Sequence, residues 1–214
     1  GEFRAECEAI IRQFACFERN GTIPNMIRGL DDANRDTSDA PLYLVVAARD
    51  FVDAAGSAAL LDADCNGRTL REVLRSIAHH YENGTPNGIR MDRESGLIFS
   101  PSHFTWMDTN FPAGTPREGY PIEIQALWYA ALEFLGREEP EFRSRAEQVR
   151  RSVETLFFRT ETGNCSDCPH ASPGVPAAEA VPDDHIRPNQ LFAITLGAVA
   201  DRQKQQRILA ACEE

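Results

Sequence analysis

Apolar residues recur along this chain with the period of helices. In residues 3–19 they fall at Phe3, Cys7, Ile10, Ile11, Phe14 and Phe17, one stripe of a helix with charges on the other side. Residues 38–55 differ, because Leu42-Tyr-Leu-Val-Val-Ala-Ala48 is apolar on every side. Pro41 at its start and the Ala-rich continuation favour a buried helix over a strand. Residues 69–82 are amphipathic again and open on Thr69 and Glu72, a Thr-x-x-Glu capping box. Residues 121–135 return to the buried kind through Ala126-Leu-Trp-Tyr-Ala-Ala-Leu132. Residues 140–157 carry Arg143, Arg145, Arg150 and Arg151 on a wet side. Residues 187–200 are the third buried helix, through Leu191-Phe-Ala-Ile-Thr-Leu196, and residues 203–212 are wet. Almost no strand is predicted.

Wet and buried helices therefore alternate, seven in all. A simple bundle would give every helix a similar stripe. Alternation suits two layers, in which one helix of each hairpin lines the inside and the next covers it. The expected fold is all-α, a partial (α/α)6 toroid. The three inner helices each begin near a proline: Pro41, Pro121 and Pro188. Polar residues surround each proline: Ser38 and Asp39; Glu123 and Gln125; Arg187, Asn189 and Gln190. If the inner helices run parallel, these starts meet at one mouth, where a hydroxyl-rich ligand would find donors and acceptors. Two long stretches lack helical period. Residues 83–120 read as functional, and residues 160–186 as surface chain around 171–176.

Composition narrows the partners. The chain has 214 residues, 22 basic and 33 acidic side chains, and a net charge of −11. That argues against a polyanion as partner, so neither nucleic acid nor an acidic membrane is expected. No apolar run approaches the ~18 residues of a membrane helix, and no secretion signal opens the sequence. Six cysteines, at 7, 16, 65, 165, 168 and 212, read as free buried thiols. Cys165-Ser-Asp-Cys168-Pro-His170 has the spacing of half a zinc site, with only three local ligand candidates. Asp62-Ala-Asp64-Cys-Asn66-Gly67 imitates the start of a calcium loop, but Val73 stands where the closing carboxylate belongs. His79-His80 lies on a wet helix and reads as titrating surface. No metal and no cofactor are expected.

The densest chemistry lies in residues 100–123. Trp106 is two residues from Asp108, and Arg117 and Glu123 follow. An indole face covers the apolar face of a pyranose, carboxylates and Arg bind hydroxyls, and a protonated carboxyl can act on a glycosidic oxygen. On these residues alone, a core Trp106 and a capping Asp108 are equally open.

Five motifs, in order over about residues 17–197, decide further. They are Asn20-Gly-Thr-Ile-Pro-Asn25, Thr37-Ser-Asp39-Ala-Pro-Leu-Tyr43, Thr105-Trp-Met-Asp108, Thr115-Pro-Arg117 with Ile122-Glu-Ile-Gln-Ala-Leu-Trp128, and Arg187-Pro-Asn-Gln190. Together they resemble the C-terminal glucosidase domain of glycogen debranching enzymes, the amylo-α-1,6-glucosidase family. Tyr43 stands where that family has Trp. The resemblance implies an (α/α)6 toroid and inverting hydrolysis of α-1,6-linked glucosyl stubs on glycogen-like α-glucan. It implies Asp108 as general acid, with Asp39, Trp106, Arg117, Glu123 and Asn189 in the sugar pocket. The family's general base lies in a later segment, after the Arg-Pro-Asn-Gln helix, so residues 1–214 are expected to be the N-terminal part of one glucosidase domain. A six-hairpin toroid needs twelve helices, which agrees. Other domains of the same polypeptide are the expected partners, the cytoplasm the expected location, and the chain alone is expected to be inactive. A glucoamylase- or trehalase-like α-glucosidase, or a non-catalytic glucan-binding module, are the competing readings.

Overall fold

A computed structural model of the chain describes residues 3–29, 31–107 and 116–213. Among them seven α-helices form: α1 (Arg4–Ala15), α2 (Ala40–Ala55), α3 (Leu70–Asn83), α4 (Ile122–Leu135), α5 (Pro140–Leu156), α6 (Leu191–Thr195) and α7 (Arg202–Glu213). Their ends follow from local chemistry. Pro41 sits in the first turn of α2, where its missing N–H leaves no bond unmade. Gly56 stops α2 in the left-handed region, at φ 61°. The α3 capping box forms as read from sequence. The Thr69 hydroxyl accepts from Glu72 N at 3.3 Å, and the Glu72 carboxylate accepts from Thr69 N at 2.7 Å.

The helices stack in two layers. α4 lies between α2 and α6, with α5 across its back. α1 packs on α2 and α3, α3 also reaches α2 and α4, and α7 packs on α6. Ion pairs tie neighbours of the second layer: Arg145 to Glu82 between α5 and α3 at 3.3 Å, and Lys204 to Glu154 between α7 and α5 at 3.2 Å. The alternation of sequence patterns thus becomes an alternation of layers. α4 carries it furthest, since every residue but Glu133 is buried. Its Trp128 ring stacks on Tyr81 of α3 at 5.9 Å. Burial of large apolar side chains on both faces, at about 1.5–3 kcal/mol each, makes α4 the spine of the core.

Two expectations need correcting. The third inner helix was expected over residues 187–200, fully buried. A 3-10 turn (Pro188–Gln190) leads instead into five residues of α-helix, and Gly197, at φ 85°, ends the run. Ala193 is buried, but Leu191, Phe192, Ile194 and Leu196 are only half-buried. The reason is packing: α6 packs on α4 and α7, and Phe192 meets Tyr43 of α2 edge-on at 6.4 Å, but these contacts leave its apolar side chains half-covered. The second correction is two small antiparallel hairpins. β1 (Asp64–Cys65) and β2 (Arg68–Thr69) turn at Asn66-Gly67, both left-handed at φ 56° and 79°. Asn-Gly is the strongest short hairpin signal, and it lies inside the segment that imitates a calcium loop. There Asp64 accepts from Gly67 N at 3.0 Å and Asp62 pairs with Arg71 at 3.2 Å.

The other hairpin, β3 (Arg90–Met91) and β4 (Ile98–Phe99), gives residues 90–99 regular structure within the stretch that lacks helical period. Ile89, Met91, Leu97, Ile98 and Phe99 are buried. The Gln125 side chain completes the ladder: its Oε1 accepts from Ile98 N at 2.7 Å and its Nε2 donates to Ile98 O at 2.9 Å. Trp128 Nε1 donates to Gly96 O at 3.1 Å. Gln125, read from sequence as a group at the mouth, is spent on the fold. Among the described residues no helix is long and apolar enough to cross a membrane.

Gln125→Leu keeps the volume and strands the buried N–H and C=O of Ile98. It is expected to cost about 2–4 kcal/mol in urea unfolding followed by tryptophan fluorescence. An unchanged midpoint would show that the hairpin does not need the amide.

Candidate active site

The starts of α2, α4 and α6 are joined by one chain of polar contacts. At α2, Thr37 Oγ1 donates to Asp39 Oδ1 at 2.5 Å and accepts from Ala40 N at 3.2 Å. Asp39 is 8% exposed. Burial pushes its carboxyl above the ordinary 3.8, against the pull of the Thr37 hydroxyl and the backbone N–H groups of Asp39, Ala40 and Trp106. Ser38 fixes the same turn to the next segment: its N donates to Phe104 O at 2.6 Å and its hydroxyl meets that of Ser100 at 2.8 Å. The Tyr81 hydroxyl donates to Ser38 O at 2.8 Å.

From there the chain of contacts runs through an indole. Trp106 is 56% exposed, and its Nε1 donates to Asn189 Oδ1 at 3.1 Å. Asn189 sits in the turn before α6, is 1% exposed, and donates from Nδ2 to Asp167 Oδ1 at 2.7 Å. Asp167 then meets Arg117, a residue 1% exposed and left-handed at φ 53°. Arg117 Nε donates to Asp167 Oδ2 at 2.9 Å and Nη2 to Oδ1 at 3.1 Å. Nη1 donates to Thr105 Oγ1 at 3.0 Å and to Glu123 Oε1, and Nη2 to Glu123 Oε2 at 2.6 Å. All five guanidinium donors are used, which an ammonium could not reproduce.

Burial works against the charge on Arg117, but Glu123 and Asp167 outweigh it and raise its pKa. Burial raises Glu123, and Arg117 opposes that. With Arg117 so far above neutrality, the pair is read as ionised. A second arginine extends the network: Arg187 Nη1 donates to Asp167 Oδ2 at 3.0 Å and to Asp183 Oδ2 at 2.9 Å. Burial would raise Asp183, but His185 and Arg187 hold it well below the usual carboxylate range. Gly119 lets the two long segments close on each other. At φ 131° a Cβ there would sit 2.2 Å from the Pro169 carbonyl oxygen.

Residues 2–214 match the family described as Amylo-alpha-1,6-glucosidase. The chain belongs to this family. No curated protein matches it. Among solved structures it is similar to a rhamnosidase from Klebsiella oxytoca with rhamnose bound, at 16% identity and TM-score 0.59. That likeness covers 96% of this chain and 37% of that one. It is also similar to the GH78 family rhamnosidase of Bacillus sp. GL1, at 17% identity and TM-score 0.57, over 81% of this chain and 17% of that one. At such identities the likeness is one of fold. The chain spans less than two-fifths of either protein.

Of the residues that sequence assigned to this glucosidase-family site, five fall into the one network: Asp39, Trp106, Arg117, Glu123 and Asn189. They do not stand alike. Trp106 faces solvent, and Asp39 lies just under the surface beside it. Arg117 and Glu123 are spent on each other, Asp167 and Thr105, so in this arrangement they hold neighbours in place. Asp108 lies outside the described residues.

Sequence reasoning missed Asp167. It lies in an irregular segment with no period, between two cysteines whose spacing drew attention to metal. Cys165 and Cys168 are buried, and burial pushes the Cys165 thiol up to about 12 and that of Cys168 higher still. His170 faces Asp183 at 3.6 Å. Among the described residues no three His, Cys, Asp or Glu side chains are placed to hold a metal. A cavity of about 660 Å³ lies between α1 and α2 and is lined by apolar groups such as Ile10, Ile11 and Phe51. No residue of the network lines it, and it lacks the converging polar groups that sugar chemistry needs.

A carboxyl whose folded pKa is raised favours folding while protonated, and that contribution is lost as pH rises through the folded pKa. Asp39→Asn keeps an acceptor for Thr37 and removes the titration. The variant is therefore expected to gain stability on the parent between about pH 4 and about pH 7 in urea unfolding. A difference independent of pH would mean that Asp39 is not raised.

Proposed function

We propose that this chain carries the acid half and the sugar pocket of an α-glucan debranching glucosidase. The carrying observation is the continuous network from Asp39 through Trp106, Asn189 and Asp167 to Arg117 and Glu123. It joins, at the starts of three neighbouring helices, residues from four of the five motifs of the amylo-alpha-1,6-glucosidase family. The two-layer order of the helices supports the further reading that these residues form part of an (α/α)6 toroid.

In this reading Asp108 protonates the glycosidic oxygen of an α-1,6-linked glucosyl stub. The exposed Trp106 ring covers an apolar sugar face, and Asp39 accepts from a hydroxyl. Arg117, Glu123 and Asn189 keep these groups in place. Inversion requires a second carboxylate roughly 6.5–9.5 Å from the acid to activate water. Glu123 and Asp167 are engaged by Arg117 through both of their oxygens and are not free to meet a water. The family resemblance puts the base in a segment later than the Arg187-Pro-Asn-Gln190 turn, and the reading follows it there. A glycogen-like substrate places the reaction in the cytoplasm.

In the full-length protein, Asp108→Asn is expected to lower glucose release from an isomaltosyl substrate by about 10²–10⁴-fold, the usual contribution of an acid–base group, while leaving the fold intact. Retained release would remove Asp108 from the role. Product analysis on α-1,4-, α-1,6- and α,α-1,1-linked substrates would separate a debranching activity from a glucoamylase- or trehalase-like one. The 214-residue chain by itself is expected to show no turnover; measurable glucose release from it would mean that the base is already present.

A further inference from the structure

We propose that Asp167 is the positioning residue of the exposed indole, acting through Asn189 to hold the Trp106 ring at the sugar pocket. A side-chain amide has two ends of similar shape and opposite character, one donating and one accepting. Neither the sequence nor the fold of the turn (Pro188–Gln190) decides which end of Asn189 faces the indole. Asp167 decides it. A carboxylate whose two oxygens already accept from guanidinium groups presents acceptors only, so the NH2 group must face Asp167 Oδ1, at 2.7 Å. The carbonyl end is then left toward Trp106, whose Nε1 can only donate, at 3.1 Å.

Asp167 is itself held against rotation. Arg117 binds both of its oxygens, and Arg187 binds Oδ2 a second time at 3.0 Å. Two guanidinium groups thus engage both carboxylate oxygens and fix the plane of the group. The order passes from a buried and a half-buried arginine to Asp167, to a buried amide, and to a ring 56% open to solvent. A ring so exposed has little packing to fix it, so one hydrogen bond at its edge counts for much. An amide at position 167 could present its NH2 to Asn189, turn that side chain around, and set a donor against the indole N–H.

The consequence for sugar binding rests on the function proposed above; the link from Asp167 to Trp106 does not. The chain has two tryptophans, and the second is a built-in control. Trp128 is fully buried with its indole N–H on Gly96 O. The test compares solvent exchange of the two indole N–H signals by NMR in the parent and in Asp167→Asn. Trp106 is expected to exchange at least about tenfold faster in the variant, with Trp128 unchanged. If neither signal changes, the proposal is overturned. If both lose protection, the variant has failed to fold, and the parent decides. There, a protected Asn189 side-chain amide with a cross-relaxation contact to the Trp106 indole N–H supports the link, and a freely exchanging one overturns it. Titration with isomaltose reads the consequence separately: affinity is expected to fall about tenfold in Asp167→Asn. An Asp167-dependent indole in a protein that binds no isomaltose would keep the link and sink the sugar reading.

Discussion

One buried cation organises the functional end of this protein. Arg117 is out of solvent, and a buried charge is tolerated only when it is paired and fully hydrogen-bonded. Its partners come from different parts of the chain: Thr105 from the Trp106 segment, Glu123 from the first turn of α4, Asp167 from the segment after α5. None of these segments could settle elsewhere without stranding the guanidinium or a carboxylate. Arg117 also holds a left-handed backbone at φ 53°, a conformation that costs a non-glycine residue about 1–3 kcal/mol and persists where the surroundings over-determine it. The five donors of one arginine thus fasten two long irregular segments to the spine of the fold.

The helices supply the other half of the arrangement. With α2, α4 and α6 side by side, their first turns bring Asp39, Glu123 and Asn189 to one end. A helix start offers unpaired N–H groups and a partial positive charge, which suits carboxylates. Asp39 and Glu123 take that place on α2 and α4. The outer helices do the plainer work of covering apolar faces, and their links are surface ion pairs of small worth. Stability is therefore concentrated in α4 and around it, while the chemistry sits where irregular chain meets helix ends.

Sequence legibility follows the same division. Six of the seven helices were readable to within a few residues, because their burial is periodic and periodicity survives in one dimension. The capping box of α3 was readable because Thr69 and Glu72 satisfy each other locally. α6 was overestimated: its apolar run looks fully buried, yet burial depends on neighbours, and those of α6 leave it half-covered. The hairpin at Asn66-Gly67 had a clear local signal that the acidic residues around it obscured. At the candidate site, residues from four of the motifs fall in one network at the starts of α2, α4 and α6, where the motifs alone could not show their contacts. The motifs did not tell that Arg117 and Glu123 would face each other. Asp167 had no signal of its own, since its importance lies in contacts with residues 20 to 50 positions away.

The same carboxyl group does different work in this end of the molecule according to what stands against it. Glu123 and Asp167 are matched to guanidinium groups, which occupy their oxygens and fix their orientation. Asp39 is matched to a neutral hydroxyl and to backbone N–H groups, with burial lifting its pKa. Its protonation can therefore respond to a ligand, and a neutral, hydroxyl-rich ligand is the kind that such a group can meet as either donor or acceptor. The net charge of −11 fits this division of labour. An uncharged ligand asks for no basic patch, and Arg117 and Arg187 are turned toward the buried acids Glu123, Asp167 and Asp183 instead.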